Sequence, residues 1–175
     1  MNTEKFIVDA FEDLMRDHPF DCITVDMILN LSGVSRSTFY RHFSSKYELM
    51  GAFYRSEIDK LTTDRDMSWR IALRETTEFV KKNYSFFNKA VRIDGEESFM
   101  SFLYGYSYDF YSQGYLLAHE TTIIPADIQV ALEFLCSGHI FALQKWIERG
   151  CDIPTRDMGD YLYELIPERI RETLM

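Results

Sequence analysis

The chain has 175 residues, of which 46% are hydrophobic, enough for one core or for a small and a larger helical unit that share a connecting helix. Its formal net charge is -9, so contact with a negatively charged partner would have to depend on a local basic surface. No signal peptide is evident and no apolar run is expected to be long enough to cross a membrane, which predicts a cytoplasmic protein with no membrane partner.

Two helices are predicted at the start of the chain. The first carries its apolar residues on one stripe and its acidic residues on the other side, and the dipeptide His18-Pro19 ends it. The second begins at Thr24, whose side-chain oxygen can cap a helix N-terminus, with Asp26 complementing the helix dipole. Gly33 is suited to the left-handed conformation that ends this helix and turns the chain sharply.

The third predicted helix has the features of a DNA-reading element. Ser35 can cap its N-terminus, Phe39 and Phe43 share its buried side, and residues 34–46 contain no acidic side chain. In a helix-turn-helix, the N-terminal end of the second helix enters the major groove, and cations and hydroxyls contact phosphates. This predicts base contacts from Arg36, Ser37 and Thr38, with Arg36 suited to guanine, and positions nearer the DNA backbone for Tyr40, His42 and Lys46.

A fourth helix is predicted to start at a capping box, Ser45 to Glu48, with Lys46 directed toward a phosphate. The head would then comprise residues 1–46 as a three-helix DNA-binding domain. Residues 47–175 would form a larger helical domain for effector binding and dimerisation. The fold class expected is therefore all-α.

The segment from Thr24 to Leu49 resembles the TetR/AcrR family of bacterial one-component transcriptional regulators. The resemblance is carried by Thr24-Val25, by Gly33-Val34-Ser35 at the turn, by residues 39–43 (Phe-Tyr-Arg-His-Phe), and by Lys46 and Leu49. It implies phosphate contacts from Thr24, Ser35, Tyr40, His42 and Lys46, and base-facing positions at Arg36, Ser37 and Thr38. Leu31-Ser32 replaces the small alanines usual there, and Ser37 stands where many members have glycine, so packing and the bases read can both differ.

Beyond Lys60 the pattern predicts helices: a break at residues 62–66, a helix from Met67 to Phe87, a turn at Asp94-Gly95 and a new element near Glu96. Residues 99–111 are the most aromatic segment, and helix is favoured there because both neighbours are helical. Six of its rings are candidates for an effector site, because such side chains combine apolar surface with polar tips: Phe102, Tyr104, Tyr106, Tyr108, Phe110 and Tyr111. Ordinary core packing is the alternative, and the effector hypothesis depends on the family resemblance.

A long helix from Ala126 to Arg149 is apolar almost all round, and a final helix from Thr155 to Leu174 contains Pro167, which either kinks it or ends its main body. One chain cannot easily bury every apolar face of the long helix. A twofold dimer through both helices would bury the surplus, as the resemblance also implies. The residues predicted for its interface are Phe134, Leu135, Gly138, Phe141, Trp146, Tyr161, Leu162 and Leu165.

The functional prediction is a homodimeric repressor that binds a near-palindromic DNA operator and responds to a small-molecule effector. The alternative is a transcriptional coactivator or a regulator controlled by a protein partner, since the C-terminal half looks like a branch that includes coactivator-type members. Catalytic motifs are not evident, which argues against an enzyme. Cys22, Cys136 and Cys151 lack metal-ligand spacing and are expected to be small buried or half-buried thiols, so neither a metal nor a cofactor is predicted.

Overall fold

The fold is all-α, as the sequence predicts. The computed structural model describes residues 3–62, 68–93, 95 and 98–172, and within these residues ten α-helices and one short 3-10 helix occur without a strand. The α-helices are α1 (Thr3–Asp17), α2 (Val25–Ser32), α3 (Arg36–His42), α4 (Lys46–Thr62), α5 (Trp69–Lys82), α6 (Tyr84–Ala90), α7 (Phe99–Ala118), α8 (Ala126–Glu148), α9 (Thr155–Glu164) and α10 (Glu168–Arg171). The 3-10 helix, Phe20–Cys22, connects α1 to α2.

Local capping chemistry sets the boundaries of α2 and α3. The Thr24 hydroxyl accepts a hydrogen bond from the Met27 N–H at 3.3 Å, and the Ser35 hydroxyl accepts one from the Thr38 N–H at 3.2 Å. Gly33 has φ +71°, the left-handed conformation that a helix C-terminus favours. The helix-turn-helix geometry therefore follows from residues close together in the chain.

The helix predicted from Met67 to Phe87 is in fact two helices, α5 and α6, that meet at Asn83. The Asn83 side-chain amide donates to the Phe79 carbonyl oxygen at 2.9 Å and competes with continued helical hydrogen bonding. The change of direction buries Phe86 and Phe87. The expected start at Met67, most of the break at 62–66, and the turn and start expected at Asp94 and Glu96 lie outside the described residues.

The aromatic segment forms the helix α7, and much of its inner side packs around Tyr54 of α4. The Tyr54 ring lies within 5.6 Å of Phe99 and 5.8 Å of Tyr106, centroid to centroid, in edge-to-face contacts. Phe79 and Phe87 contact the same ring from α5 and α6. Such offset contacts favour a well-ordered core between α4 and α7.

The predicted final helix divides at Pro167, so the proline ends its main body rather than kinking it. Because proline fixes φ and lacks an N–H, α9 stops at Glu164 and α10 restarts at Glu168 with Pro167 as its N-cap. The predicted end at Leu174 lies outside the described residues.

The expectation that no apolar run is long enough to cross a membrane is wrong for α8. This helix has 23 residues and is long and apolar enough for a membrane span by length and composition. Core helices can have the same length and composition, and Leu132, Trp146 and Ile147 are fully buried here against the rest of the chain. One side of α8 therefore belongs to the core of the protomer.

Candidate nucleic-acid interface

The helix α3 is anchored on one side and presents polar groups on the other. Phe39 is fully buried and Phe43 is 4% exposed, so both rings hold α3 against the head. The remaining side carries five exposed side chains: Arg36, Ser37, Tyr40, Arg41 and His42. Since residues 34–46 contain no acidic residue, this side has the charge that DNA phosphates require, although the whole chain is acidic.

The hydroxyl groups at the start of α3 form a hydrogen-bonded cluster. Ser35 Oγ lies 3.0 Å from Ser37 Oγ and 2.8 Å from Thr38 Oγ1. Arg41 Nη2 donates to Thr38 Oγ1 at 3.2 Å. The structure thus brings together three of the predicted contact residues and orients Arg41 along the same face.

Arg36 has a protein partner that sequence reasoning did not predict. Its Nη2 donates to Oδ1 of Asp26, in the first turn of α2, and both side chains are more than half exposed. This contact places the first turns of α2 and α3 side by side. The sequence predicts only that Asp26 complements the dipole of α2, because residues ten positions apart give no local signal of an ion pair.

The half-buried Lys46 side chain packs against the segment between α1 and α2 instead of extending into solvent. Its Nζ donates to the carbonyl oxygens of Phe20 and Ile23, both at 3.0 Å, and lies 4.4 Å from the centroid of the Phe20 ring. The ammonium therefore joins the start of α4 to the 3-10 helix. In this arrangement its contacts are with the protein, in contrast to the phosphate contact expected from sequence.

Glu48, the last residue of the predicted capping box at the start of α4, reaches back to the residues that precede the helix. Glu48 Oε2 accepts from the backbone N–H of Ser44 at 2.7 Å and from the Ser44 hydroxyl at 3.0 Å. Ser44 thus pairs with Glu48 through both its backbone and its side chain. The Glu48 carboxylate is therefore hydrogen-bonded within the segment that joins α3 to α4.

Two further predicted contact residues lie at exposed positions of the head. Thr24 is exposed and its oxygen is used in capping α2. Tyr40 is 51% exposed, with its ring edge-on to Phe39 at 5.2 Å. Both hydroxyl groups remain at the surface of the head, where a phosphate could approach them.

Contacts between α4 and α7 connect the head to the aromatic region. Gly51 lies so close to Phe102 that a Cβ at this position would be 2.5 Å from the ring. The Tyr106 hydroxyl donates to Asp59 Oδ1 at 3.0 Å, and the Arg55 guanidinium lies 5.5 Å from the centroid of the Phe102 ring. Burial, followed by the Asp59 charge, raises the pKa of Tyr106, so its hydroxyl stays protonated and able to donate.

The six aromatic effector candidates are divided among different surroundings. Phe102, Tyr106 and Phe110 stack in a row along one side of α7, and Tyr104 stacks on Tyr108 elsewhere on the same helix. Three of the six, Tyr106, Phe110 and Tyr111, line a cavity of about 80 Å³, together with side chains from α4 and α5 that sequence reasoning did not assign: Tyr54, Ile58, Trp69, Ala72, Leu73 and Thr76. This volume is well below the roughly 300–1,000 Å³ typical of small-molecule pockets. A more open groove of about 770 Å³ is lined by Phe102, Tyr106 and Phe110.

The residues predicted for a dimer interface separate into an exposed and a buried set. Leu135, Trp146 and Leu162 are at most 5% exposed and belong to the core of the protomer, so they cannot form an exposed interface. The exposed set consists of Phe134 (79%), Phe141 (60%), Tyr161 (52%) and Leu165 (63%), with Gly138 also at the surface. Val130, which is 63% exposed, continues the same side of α8 one turn before Phe134.

The cysteines are free thiols in different settings. Cys136 and Cys151 are buried, whereas Cys22 is exposed, contrary to the expectation for that residue. Burial raises the pKa of Cys136 to about 12, which keeps this thiol protonated and unreactive. Within the described part of the chain, His, Cys, Asp and Glu form no cluster of three that could hold a metal ion.

Comparisons with known proteins identify both parts of the chain. The family model described as "Bacterial regulatory proteins, tetR family" matches residues 7–53, and the one described as "Transcriptional regulator C-terminal region" matches residues 67–168. The solved structure of the dihydroxyacetone kinase operon activator DhaS superposes with a TM-score of 0.63 at 20% identity, covering 98% of this chain and 97% of that one. A TetR regulator from Streptococcus agalactiae gives a TM-score of 0.60 at 23% identity, covering 95% and 94% of the two chains.

Two curated relatives are named transcriptional activators. The dhaKLM operon activator DhaS of Lactococcus lactis is 29% identical over 94 residues, which is 53% of this chain and 50% of that protein. FasR of Mycolicibacterium smegmatis is 32% identical over 139 residues, 77% of this chain and 55% of that protein. The matches thus span about half the length of these curated relatives. Both family models and the helix-turn-helix geometry agree that the chain belongs to the TetR family of bacterial transcriptional regulators.

Proposed function

We propose that the protein binds a near-palindromic DNA operator as a homodimer, and that the exposed face of α3 reads the bases. The observation that carries this proposal is the acid-free face that starts at the hydroxyl cluster of Ser35 and continues through Arg36 and Arg41. Two such faces about 34 Å apart would meet successive major grooves. The division into a head of residues 1–46 and a domain of residues 47–175 belongs to this proposal, as do a cytoplasmic location and the absence of a membrane partner.

Selection of bound sequences from random duplex DNA tests the reading face. Arg36→Ala is expected to remove the preference at one base pair in each half-site, because Arg36 would contact a base edge. Arg41→Ala is expected to weaken binding to all DNA sequences. It should also reduce the slope of log binding constant against log salt concentration by about one per half-site, because one phosphate contact is lost. Arg16→Ala, which removes an exposed arginine of α1, is the matched control. Equal effects of the three substitutions would refute the proposed roles.

The proposed dimer is formed by the exposed apolar sides of α8 and α9. Phe134 is 79% exposed in the protomer, and Phe141, Tyr161 and Leu165 are each at least half exposed. Large exposed apolar side chains on two neighbouring helices are typical of a protein interface. The face offers Gly138 as a point of close backbone approach, because nothing described lies within 4 Å of a Cβ at that position.

Phe134→Asp tests the dimer, with Leu117→Asp as a matched control at a similarly exposed position of α7. Phe134→Asp should give a monomer in light scattering and weaken operator binding, because it places a charge in the apolar interface. Leu117→Asp should leave the dimer intact. A dimer that resists Phe134→Asp but is lost with Leu117→Asp would move the interface to α7.

Repression by occupying the operator, with release by a small-molecule effector, is the first regulatory candidate. The cavity lined by Tyr106, Phe110 and Tyr111 supports a site of this kind, although at about 80 Å³ it would admit only a very small ligand. Ala72→Leu should fill the cavity and abolish effector-dependent release without weakening operator binding. Release that persists in this variant would place the effector elsewhere.

Activation, under the control of a protein partner, is the second candidate. It is favoured by the names of the two curated relatives, both activators. A reporter driven by the selected operator distinguishes the two. Expression that rises when the regulator is deleted indicates repression, and expression that falls indicates activation.

A further inference from the structure

We propose that Asp26 is a specificity-determining residue: it holds the Arg36 guanidinium in place for a guanine contact. The inference rests on the proposed DNA-binding function and goes beyond it. It assigns a role in base preference to Asp26, a residue of α2 that does not need to contact a base itself. Asp26 is the second residue of α2, two positions after the N-cap Thr24, and Arg36 is the first residue of α3. Their ion pair joins the leading turns of both helices.

The geometry of the ion pair leaves Arg36 able to read a base. The contact uses Nη2 of Arg36 and one carboxylate oxygen of Asp26, and among the described residues Nε and Nη1 have no protein partner. Nη2 carries two N–H groups, one on each of the two donor edges of the guanidinium. Whichever of these Asp26 accepts, one complete two-donor edge stays free, and such an edge matches O6 and N7 of guanine.

Conformational entropy explains why holding Arg36 would matter. An arginine side chain has many rotamers, and restricting it to one of them on DNA costs conformational entropy. An ion pair that already restricts the rotamers of free Arg36 makes this cost of binding smaller. Arg36 and Asp26 are 56% and 68% exposed, so the pair is a weak one. It can therefore bias the rotamer without preventing the small adjustments that docking in a groove requires.

Electrostatics gives the pair a second effect on specificity. A carboxylate on the first turn of α2 lies near the proposed phosphate contact of Thr24, where it repels DNA unless Arg36 compensates its charge. Without Asp26, the guanidinium is free to contact any nearby phosphate. Binding to random DNA should then strengthen while discrimination between bases weakens.

The alternative is that Asp26 only stabilises α2 through the helix dipole. Under that alternative, Asp26→Asn would alter stability and affect all DNA sequences alike. Its effect would also be the same whether residue 36 is arginine or alanine. Base discrimination measured with and without Arg36 therefore separates the two explanations.

A double-mutant cycle tests the proposal with the full-length protein. Affinities are measured for the selected operator and for the same duplex with the Arg36-dependent guanine pair replaced, using wild type, Asp26→Asn, Arg36→Ala and the double variant. Asp26→Asn should lower the affinity ratio by about two- to five-fold, the range for an exposed ion pair, and should strengthen binding to random DNA. In the Arg36→Ala background, Asp26→Asn should leave the ratio unchanged. Thermal melting of each variant confirms that it is folded.

Three results would overturn the proposal. An unchanged ratio in Asp26→Asn would show that Arg36 needs no partner. An equal change in both backgrounds would show that Asp26 acts independently of Arg36. A wild type without any preferred sequence would also overturn it, and would be recognised as failure of the proposed function because every variant then has a ratio of one.

Discussion

Replacing Gly159 with alanine should destabilise this protein, although the same change stabilises most helices. Gly159 lies within α9, and a Cβ at this position would be 2.7 Å from Cα and 2.8 Å from N of Arg74 in α5. The α5 and α9 helices form the most extensive contact among the described helices. Since backbone atoms cannot rotate aside as a side chain can, α9 would have to move away from α5.

The expected loss is the balance of two opposed effects. Overpacking a close contact costs about 1–3 kcal/mol, and alanine regains about 1 kcal/mol of helix propensity relative to glycine. The movement also stretches the Arg74–Asp160 ion pair, whose Nη2 to Oδ2 distance is 2.8 Å. We expect a net loss of about 1–2 kcal/mol, and a fall in Tm of about 2–8 °C for a chain of this size.

Gly105→Ala is the matched control, because Gly105 is also helical and a Cβ there meets no described atom within 4 Å. It should raise stability by up to about 1 kcal/mol. Both variants are compared with wild type by thermal melting and urea unfolding at one protein concentration, because the proposed dimerisation would make Tm depend on concentration. If Gly159→Ala raised Tm as much as Gly105→Ala, the close contact of α9 with Arg74 would be refuted.

Substitutions at three further residues test individual polar side chains. Lys46→Met should cost about 1–2 kcal/mol in urea unfolding, because the half-buried ammonium donates to two carbonyls; an unchanged stability with a reduced salt dependence of DNA binding would instead place it on a phosphate. Thr77→Val should cost about 1–3 kcal/mol by leaving the Thr155 carbonyl without the hydroxyl that donates to it at 2.8 Å, and Thr77→Ser should cost less. Burial lowers the pKa of His139 to about 4, whereas the pKa of an unfolded histidine is about 6.5. Below pH 6.5 the unfolded state therefore binds more protons than the folded state, and the free energy of unfolding falls as the pH falls. The loss should be about 2 kcal/mol at pH 5, and His139→Gln should flatten the slope of unfolding free energy between pH 5 and 7; an equal slope in both proteins would contradict it.

The head could be predicted from sequence because its signals are local. The Thr24 and Ser35 side chains each accept a hydrogen bond from the backbone N–H three residues further along the chain. Gly33 adopts the left-handed conformation expected of it. These interactions form wherever the backbone starts or ends a helix, largely independent of distant residues. The same reasoning located Pro167 as a helix boundary, although not which of its two possible effects it would have.

Contacts between distant residues could not be predicted. Asp26 meets Arg36 ten residues away, Lys46 reaches carbonyls more than twenty residues earlier, and Asp59 and Tyr106 are 47 residues apart. Each depends on the angle and distance at which two helices cross, which side-chain packing sets and no short segment encodes.

Capping, periodicity and charge act over a few residues, so the helical class, the helix-turn-helix and the acid-free side of α3 can be predicted from the amino acids alone. Which side of an apolar helix is interior depends instead on tertiary packing. In α8, Phe134 is 79% exposed and the adjacent Leu135 is 3% exposed, although both are large and apolar. Hydrophobicity favours burial of both side chains. The helices that pack against α8 determine that Leu135 is the one buried within the protomer.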